Sequence, residues 1–543
     1  MDYFIGVDVG TGSVRAALVA KNGKVAKAAV ENLKTWNPQP DFYEQSSDDV
    51  WNCCKKVIKE VVKDIPINYV KGIGFDATCS LVVLNKDMKP LSASLEGTSE
   101  QNIILWMDHR AVKEANFIND LKHPVLRFVG GKVSLEMEIP KLLWLKTHLR
   151  QECWDQAGAF FDLPDFLTWK ATGCDTRSLC SLVCKWNYEI QPDGAGQWNR
   201  EYLLKIGLED LVEDNFKKIG SIVIPPGTPV GNGLSAAVAK ELGLNAGIPV
   251  GTSLIDAHAG GLGMIGCRAD GILEEFHSKI GLICGTSTCH MAVSKDPVFC
   301  PGVWGPYYSA MVPNMWLNEG GQSATGKLID FVIDSHPATT KIKEKSKERH
   351  IQNYLNDVLK DMAKRQNLPC VAFLTKELHI WPDFHGNRSP LADPSLKGMI
   401  SGLTLSNDEE NLAILYLATV QALSYGTKYI IESLVKSGHS AIKTILICGG
   451  LSKNSLFTQV QADVVNLPVV CPDEPESVLL GSAILGACAA GTFPDIRTAI
   501  SSMGGTGKVI KPDSATIDFH ARKYKVFLKM VEDQRLYRNI MDS

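Results

Sequence analysis

An acidic residue stands beside a glycine-rich turn near the start of this chain. Asp8 ends an apolar segment, and Gly10, Thr11, Gly12 and Ser13 come shortly after it. The backbone N–H groups of such a turn can hold an anion, but a neighbouring carboxylate repels that anion unless a cation lies between them. The pattern therefore indicates a phosphate bound with Mg²⁺, with Asp8 touching the metal directly or through water. The structural alternative is a hairpin whose glycines serve the turn alone.

A second stretch, residues 279–293 (KIGLICGTSTCHMAV), repeats this plan. An apolar segment leads to Gly285 and Thr286, and an alternating segment follows. Two such hairpins, nearly half a chain apart, predict two homologous domains whose turns hold one polyphosphate from both sides. Thr11 and Ser13 from one turn and Thr286 from the other are the predicted donors to the terminal phosphate.

A third glycine turn lies in residues 444–454 (TILICGGLSKN). Its apolar run ends at Gly449 and Gly450, and Asn454 precedes a helical pattern. Because glycine has no Cβ, a flat ring or a phosphate can approach the backbone closely, and a helix N-terminus favours an anion. Alone this signal is weak, since any crossover from strand to helix can carry two glycines.

Asp256 is the candidate for the reacting group. The stretch VGTSLIDAHAGGLGMIG, residues 250–266, leads from an apolar segment into a glycine-rich one, so Asp256 is expected at the floor of a cleft. A carboxylate at such a place can accept a proton from a bound group. The structural alternative is an Asp that caps the following helix.

The elements around the first turn exclude two common nucleotide folds. Ser13–Ala20 alternates and is rich in β-formers, an Asn-Gly pair predicts a hairpin turn, and Val25–Val30 predicts another strand. A dinucleotide fingerprint needs a glycine where Arg15 stands. The segment that ends at Lys327 lacks the upstream glycine of a P-loop.

Composition sets the class of protein. The 543 residues exceed one hydrophobic core, which predicts at least two domains. A net charge of −4 without a Lys/Arg block predicts no nucleic-acid partner. The absence of a secretory leader or membrane-length apolar run predicts no membrane and a cytoplasmic protein with reduced thiols. Cys180 and Cys184, at helical spacing, fit half of a metal site, although buried free cysteine is common.

Other segments are interpreted as framework. His258 and His290 flank the loops of the predicted site, where a hydrogen-bonded structural role is the alternative to a ligand role. Leu412–Ile431 carries apolar residues at helical spacing and predicts a core helix. Residues 335–368 are charged and Lys-rich, which predicts an exposed helical insertion.

The three turns carry a family resemblance. DVGTGSVR, CGTS and CGGLSKN resemble, in order and separation, the two phosphate motifs and the adenosine motif of actin-like ATPases. Further strings narrow the resemblance to the FGGY carbohydrate kinases and extend it over nearly the whole chain: WMDHRA (106–111), DLPDFLTWKATG (162–173), HGNRSPLADPSLKG (385–398) and ESVLLGSAILGA (476–487).

This resemblance implies an α/β fold of two actin-like ATPase (ribonuclease H-like) domains with a nucleotide and sugar cleft between them. We expect an N-terminal domain over residues 1–265 and a C-terminal domain over residues 266–543. ATP and Mg²⁺ are the implied cofactors, a small sugar is the implied partner, and a homodimer is left open. Gly326 aligns with a family position near the nucleotide.

Resemblance to the ribulokinases within the family implies the sugar site. It maps substrate contacts to Ala77, Lys185, Asp256 and Glu319. A polyhydroxylated ligand offers donors and acceptors at each carbon, so one Lys and two carboxylates can bind several hydroxyls. Asp108 is expected at the border of the same cleft, although an Asp beside an Arg and a Trp fits a scaffold role equally well.

The activity implied by the resemblance is ATP-dependent phosphorylation of a ketopentose. D-ribulose, phosphorylated on its C5 hydroxyl with Asp256 as the base, is the first expectation. L-ribulose, a pentitol or glycerol would keep the nucleotide residues and change only the sugar pocket. A non-catalytic actin-like scaffold would not need Asp256, Lys185 and Glu319 to meet.

Overall fold

The computed structural model describes residues 2–191, 193–346 and 349–543. Its strands are β1 Tyr3–Val9, β2 Ser13–Ala20, β3 Val25–Asn32, β4 Glu44–Gln45, β5 Val70–Ala77, β6 Leu81–Asn85, β7 Ile103–Ile104, β8 Ala157–Asp162, β9 Arg177–Ser178, β10 Glu189–Ile190, β11 Gly196–Gln197, β12 Val223–Ile224, β13 Leu254–Ile255, β14 Lys279–Cys284, β15 Thr288–Ser294, β16 Trp304–Tyr308, β17 Trp316–Gln322, β18 His379–Trp381, β19 Met399–Ser401, β20 Thr444–Cys448, β21 Val469–Pro472 and β22 Gly507–Ile510.

The α-helices lie on and between the sheets that these strands form. They are α1 Ser47–Val62, α2 Val112–Asp120, α3 Glu138–His148, α4 Leu163–Thr172, α5 Leu179–Lys185, α6 Arg200–Lys205, α7 Glu209–Glu213, α8 Ala236–Leu242, α9 Asp256–Ile265, α10 Gly326–Asp334, α11 Thr339–Ser346, α12 Ile351–Arg365, α13 Glu409–Lys436, α14 Ser455–Val465, α15 Ser477–Ala489, α16 Ile496–Met503 and α17 Ile517–Asp542.

The N-terminal sheet has the order β13-β5-β1-β2-β3. Strands β1, β2 and β3 form an antiparallel meander, whereas β1, β5 and β13 are parallel. The predicted hairpin is confirmed, since β2 spans Ser13–Ala20 and β3 begins at Val25. The carboxyl ends of β1, β5 and β13 meet at one edge, where residues far apart in sequence come together.

The seven-stranded C-terminal sheet, β16-β17-β15-β14-β20-β21-β22, contains the same plan. Strands β14, β15 and β17 are antiparallel, and β14, β20 and β21 are parallel. The core β17-β15-β14-β20-β21 therefore corresponds to β3-β2-β1-β5-β13. The predicted duplication is present, and the two sheets lie on either side of the boundary predicted between residues 265 and 266, which stays a prediction.

Helices α9 and α15 hold the two halves together. Gly6 of β1 faces α15, because a Cβ there would lie 2.2 Å from the carbonyl oxygen of Leu479. The helices also touch each other through glycine, since a Cβ at Gly481 would lie 1.9 Å from the carbonyl oxygen of Ala259. Only glycine permits this backbone contact. The contact fixes the start of α9, and with it Asp256, relative to both sheets.

The expectation of an exposed insertion is wrong for α12. Leu355 and Leu359 are fully buried, and α12 packs on α13. The sequence of this segment is rich in charged residues because α12 is amphipathic, with one face toward the core and one toward water. The helical part of the prediction is confirmed by α11 and α12, and the predicted core helix is confirmed by α13.

Among the described residues, no helix combines the length and the apolar character needed to span a bilayer.

Candidate active site

Three acidic side chains meet at the carboxyl edge of the N-terminal sheet. Asp8 near the end of β1 lies opposite Asp76 near the end of β5. Asp256 follows β13 directly, and its Oδ1 accepts a hydrogen bond of 2.6 Å from the N–H of Ala257. The parallel pairing of β1, β5 and β13 produces this cluster, which the chain could not form locally.

The cluster is electrostatically strained. Burial raises the pKa of Asp76 well above its ordinary value, and the charge of Asp8 raises it further. Burial and Asp8 also raise the pKa of Asp256 to about 7. The hydroxyl of Ser482 in α15 donates a short hydrogen bond to Asp76 Oδ2, while Asp76 Oδ1 has no hydrogen-bond partner among the described residues. Buried acidic oxygens with this arrangement fit a hard cation such as Mg²⁺.

Arg15 neutralises part of this charge and joins the two halves. Its Nε donates to Asp8 Oδ2 over 2.8 Å, and its Nη1 donates to Glu476 Oε2 over 2.8 Å. Glu476 directly precedes α15. Arg15 therefore links the acidic cluster of the N-terminal sheet to Glu476, a carboxylate from the C-terminal half of the chain.

The first glycine turn is anchored beside Asp8. The N–H of Gly10 donates to the carbonyl oxygen of Ser13 over 3.0 Å. Thr11 accepts from Trp106 Nε1 at its hydroxyl and from Gln45 Nε2 at its carbonyl oxygen. These contacts hold the turn in place while Gly12 at its tip is exposed.

The second glycine turn is built in the same way and supports a helix. The N–H of Gly285 donates to the carbonyl oxygen of Ser287 over 2.9 Å. The carbonyl oxygens of this turn accept hydrogen bonds from the N–H groups of Gly326 and Lys327, the first residues of α10. A Cβ at Gly326 would lie 2.6 Å from the carbonyl oxygen of Gly285. Gly326 thus packs against the turn, and the exposed side is that of Gly285 and Thr286.

The glycines of the three turns fall into two groups. Gly449 has a φ of +88°, and a Cβ there would lie 2.4 Å from the carbonyl oxygen of Cys284. The fold itself therefore requires that glycine. At Gly12 and Gly450 a Cβ would meet nothing within 4 Å, and φ is not left-handed. Nothing in the protein requires glycine at these two positions, so the open space beside them is available to a ligand.

A second buried charge cluster, formed by side chains from both halves of the chain, faces the acidic edge. Lys185 Nζ lies 3.7 Å from Glu319 Oε1, and Arg388 Nη2 donates to the same oxygen over 2.6 Å. Both cations lie over the ring of Trp304, at 4.3 and 4.2 Å from its centroid. Burial alone would raise the pKa of Glu319, but Lys185 and Arg388 lower it below its ordinary value. The charges of Lys185 and Glu319 also act on Asp256: Lys185 lowers the pKa of Asp256 and Glu319 raises it.

The structure brings most of the predicted residues to this region but engages two of them, Asp108 and Asn454, in other contacts. Both oxygens of Asp108 accept hydrogen bonds from Arg110, and Oδ2 also accepts from the N–H of Tyr43, so Asp108 is engaged in the scaffold. Ala77 is fully buried beside Asp76. Its contact with a sugar stays a prediction.

Asn454 has a structural role. Its Oδ1 caps α14 by accepting from the N–H of Leu456, and its Nδ2 donates to Gln352 of α12 and to Tyr416 of α13. The side chain is 5% exposed. These contacts occupy its amide in a helix cap, and its predicted contact with the nucleotide stays a prediction.

Sequence reasoning missed Asp76, Arg15 and Arg388. A signal for Asp76 was present, since IGVD at residues 5–8 recurs as IGFD at residues 73–76. Two strand ends that differ at one of these four positions, in parallel pairing, place their acidic residues side by side. Arg15 lies directly opposite Asp8 in the predicted β1–β2 hairpin, which was a local signal for that ion pair. No comparable signal marks its contact with Glu476 or the contact of Arg388 with Glu319, because these partners lie far away in the chain.

Comparison with known proteins decides the family. Residues 3–263 match the N-terminal domain of the FGGY family of carbohydrate kinases, and residues 281–490 match its C-terminal domain. This chain belongs to the FGGY carbohydrate kinases. Membership of this family implies ATP as the phosphoryl donor and a sugar as the acceptor.

Relatives and solved structures agree with this FGGY kinase assignment. An FGGY carbohydrate kinase domain-containing protein from Homo sapiens is 55% identical over 100% of this chain and 98% of its own length. A D-ribulokinase from Saccharomyces cerevisiae is 39% identical over 91% of this chain and 73% of its own. A ligand-bound xylulose kinase from Lactobacillus acidophilus superimposes with a TM-score of 0.80 at 18% identity, covering 98% of each chain. Glycerol kinase from Plasmodium falciparum with ADP gives 0.75 at 15% identity, covering 98% of each chain. The predicted fold class is confirmed.

Proposed function

We propose that this FGGY kinase phosphorylates a ketopentose, D-ribulose, on its C5 hydroxyl with ATP. The observation that carries the proposal is the meeting of Asp256 with the Lys185–Glu319 pair. Asp256 begins α9 at the acidic edge, and its pKa responds to the charges of both other residues. A proton acceptor beside buried charged groups is what transfer to a sugar hydroxyl requires. The similarity to a yeast D-ribulokinase supports this choice of sugar.

Asp256 is the proposed general base. Its Oδ1 is held by the N–H of Ala257, which leaves Oδ2 to accept the hydroxyl proton. A pKa of about 7 suits this role, because an acceptor works best when its pKa lies near the operating pH. The backbone contact orients the carboxylate, so transfer needs no side-chain rearrangement.

Lys185 and Glu319 are the proposed contacts of the sugar hydroxyls. Each is only 2% exposed, so a hydroxyl that fails to pair with them leaves a buried charge without its partner. Such a loss costs about 1–3 kcal/mol, and more for charged groups. This penalty would distinguish one stereoisomer from another more strongly than apolar contacts could. Arg388 orients Glu319 through the hydrogen bond to Oε1.

The two turns are the proposed holders of the nucleotide. Gly10, Thr11, Gly12 and Ser13 approach the phosphates from the N-terminal half, with Gly285 and Thr286 opposite them. A bound Mg²⁺ would neutralise phosphate charge, and Asp8 and Asp76 are the residues that would hold it. The open backbone at Gly12 and Gly450 supports close approach of the nucleotide.

The proposal is tested with the purified full-length chain, Mg-ATP and a panel of D-ribulose, L-ribulose, D-xylulose, ribitol and glycerol. ADP release gives kcat/KM for each acceptor, and NMR of the product locates the new phosphate ester. We expect the highest kcat/KM for D-ribulose and the phosphate on C5. A preference for another acceptor, or phosphate on C1, would overturn the proposed substrate but not the family.

A further inference from the structure

Two cysteines and a histidine meet behind the proposed sugar pocket. Cys180 and Cys184 lie one turn apart on α5, and His258 lies in the first turn of α9. All three side chains are fully buried. Their ligand atoms lie within 4.8 Å of one another, and Cys184 Sγ is 3.3 Å from His258 Nε2. The two helices thus bring the two thiols of α5 next to the imidazole of α9, which lies at least 74 positions further along the chain. Thiol and imidazole groups together are a donor set for soft metals.

A fourth donor comes from Glu319. Its Oε2 lies 3.7 Å from His258 Nε2 and has no hydrogen-bond partner among the residues that the structure describes. The other oxygen, Oε1, is held by Arg388. A buried carboxylate oxygen that faces an imidazole without a donor of its own is a free ligand position.

The distances suit zinc. Zn²⁺ binds Cys sulfur at about 2.3 Å and His nitrogen at about 2.0–2.1 Å in tetrahedral sites. Around one such ion, sulfur and nitrogen would lie about 3.6 Å apart, and nitrogen and a carboxylate oxygen about 3.4 Å apart. The observed separations of 3.3 and 3.7 Å from His258 Nε2 are close to these values, and Glu319 must turn toward the two sulfur atoms to complete the site.

We propose that Cys180 Sγ, Cys184 Sγ and His258 Nε2 form a binding site for a thiophilic divalent cation, represented by Zn²⁺, which Glu319 Oε2 completes. On binding, each thiol loses its proton to solvent and the metal forms two bonds to sulfur, one to nitrogen and one to oxygen. The set carries one more negative charge than the ion. Lys185 and Arg388, which lie beside Glu319, balance that charge.

The site has a consequence for catalysis that rests on the proposed function. Glu319 is a proposed sugar contact, and a metal bound to its Oε2 would turn it toward α5 and α9. Sugar binding would weaken while the nucleotide turns remain unchanged. Zinc would therefore inhibit competitively with the sugar, and removal of zinc by a chelator would restore activity.

Metal binding is measured first, independently of activity. The full-length chain is reduced, stripped with a chelator and titrated with Co²⁺ as a spectroscopic substitute for Zn²⁺. We expect one equivalent to bind with a thiolate-to-cobalt charge-transfer band and the d–d bands of tetrahedral coordination. Competition with Zn²⁺ should remove both. Absence of the thiolate band would overturn the proposal.

Variants locate the ligands. We expect Cys180→Ala and Cys184→Ala to weaken Zn²⁺ binding by at least about 100-fold. Cys54→Ala is the matched control, because Cys54 is equally buried but lies on α1, away from the cluster. Equal binding by the native chain and the Cys180→Ala variant, or equal loss in the control, would contradict the assignment. Circular dichroism checks that each variant is folded.

X-ray absorption of the native chain with zinc keeps the test independent of the variants. Two sulfur and two nitrogen or oxygen neighbours are expected, and a shell without sulfur would overturn the site. The kinetic arm uses metal-buffered Zn²⁺ with excess Mg-ATP. Stoichiometric binding of zinc without a rise in KM for the sugar would refute the inhibitory role of zinc but would not contradict the metal site itself. Failure of all panel sugars as substrates would instead count against the proposed function.

Discussion

The two halves of this kinase share a fold but end their central strands differently. Residues 5–11, IGVDVGT, correspond to residues 280–286, IGLICGT, so Asp8 in β1 matches Ile283 in β14. Asp8 is paired with Asp76 in the parallel neighbour β5, whereas Ile283 is paired with Cys448 in β20. The first half thus presents carboxylates at the edge where the second presents apolar groups and thiols.

This difference indicates how a duplicated scaffold divides the work. Parallel pairing delivers strand ends to one edge in both halves, so the fold decides where groups meet and the side chains decide what they do. Carboxylates in the first half suit a metal and a proton acceptor. The glycine turns of both halves suit a nucleotide, and in the second half they follow apolar strand ends instead of carboxylates. We therefore expect changes to the carboxylates to affect turnover or the use of Mg²⁺, and changes to the turn glycines to affect ATP binding.

The largest effect is expected at the starts of the two equivalent helices. Asp256→Asn should lower kcat by about 10²–10⁴-fold, because the amide cannot accept the hydroxyl proton. Binding of ATP should remain within a few-fold of native, as measured by calorimetry. Ser477→Ala, at the start of α15, is the matched change in the other half and should leave kcat nearly unaltered. Near-native turnover by Asp256→Asn would refute the role of the base.

A smaller loss is expected when the acidic edge is weakened at Asp8. Asp8→Asn removes the charge that pairs with Arg15 and that would hold Mg²⁺. A charge-assisted contact is worth about 1.5–3 kcal/mol, so kcat/KM for Mg-ATP should fall about 10–100-fold. The dependence of rate on Mg²⁺ concentration should shift upward at the same time. Ile283→Val, at the matching position of β14, should change neither the kcat/KM for Mg-ATP nor the Mg²⁺ dependence. If this variant responded as strongly as Asp8→Asn, the proposed difference between the two halves would be refuted.

The pH dependence of turnover provides a third test. The folded-state pKa of Asp256 is about 7, and only its deprotonated form accepts a proton. Activity should therefore be full above that pKa and decline as the pH falls through it. At pH 6 kcat/KM should be about tenfold below its plateau. Circular dichroism at each pH separates this titration from unfolding, and a flat profile between pH 6 and 8 would contradict the assignment.

The smallest effects are expected at two glycines, of which Gly449 is required by the fold and Gly12 borders open space. Gly449→Ala forces a side chain into a left-handed conformation and should cost about 1–3 kcal/mol of unfolding free energy. Gly12→Ala enters open space and should change stability by less than about 0.5 kcal/mol. We expect the Gly12 variant to bind ATP about tenfold more weakly, about 1.4 kcal/mol. Urea unfolding and calorimetry measure the two quantities, and native ATP affinity in Gly12→Ala would remove the argument for ligand approach there.

Much of the framework could be read from local pattern. Alternation and an Asn-Gly pair predicted β2 and β3, and the glycine turns predicted the duplicated hairpins, because these features depend on residues close in sequence. Asn454 shows the limit. Its position before a helix was recognised, but its partners Gln352 and Tyr416 come from α12 and α13, and these contacts give it a structural role. The burial of α12 was missed for the same reason.

The amino-acid sequence by itself determined which strands, turns and family motifs this chain carries, since φ/ψ preference and hydrophobic period act over a few residues. Only the tertiary structure decided which charges face each other. Asp76 meets Asp8 through parallel pairing, Arg15 meets Glu476 across 461 positions of the chain, and Cys184 meets His258 across 74. Such contacts depend on how sheets and helices pack. Packing is a property of the whole buried core, so no short segment of sequence encodes it.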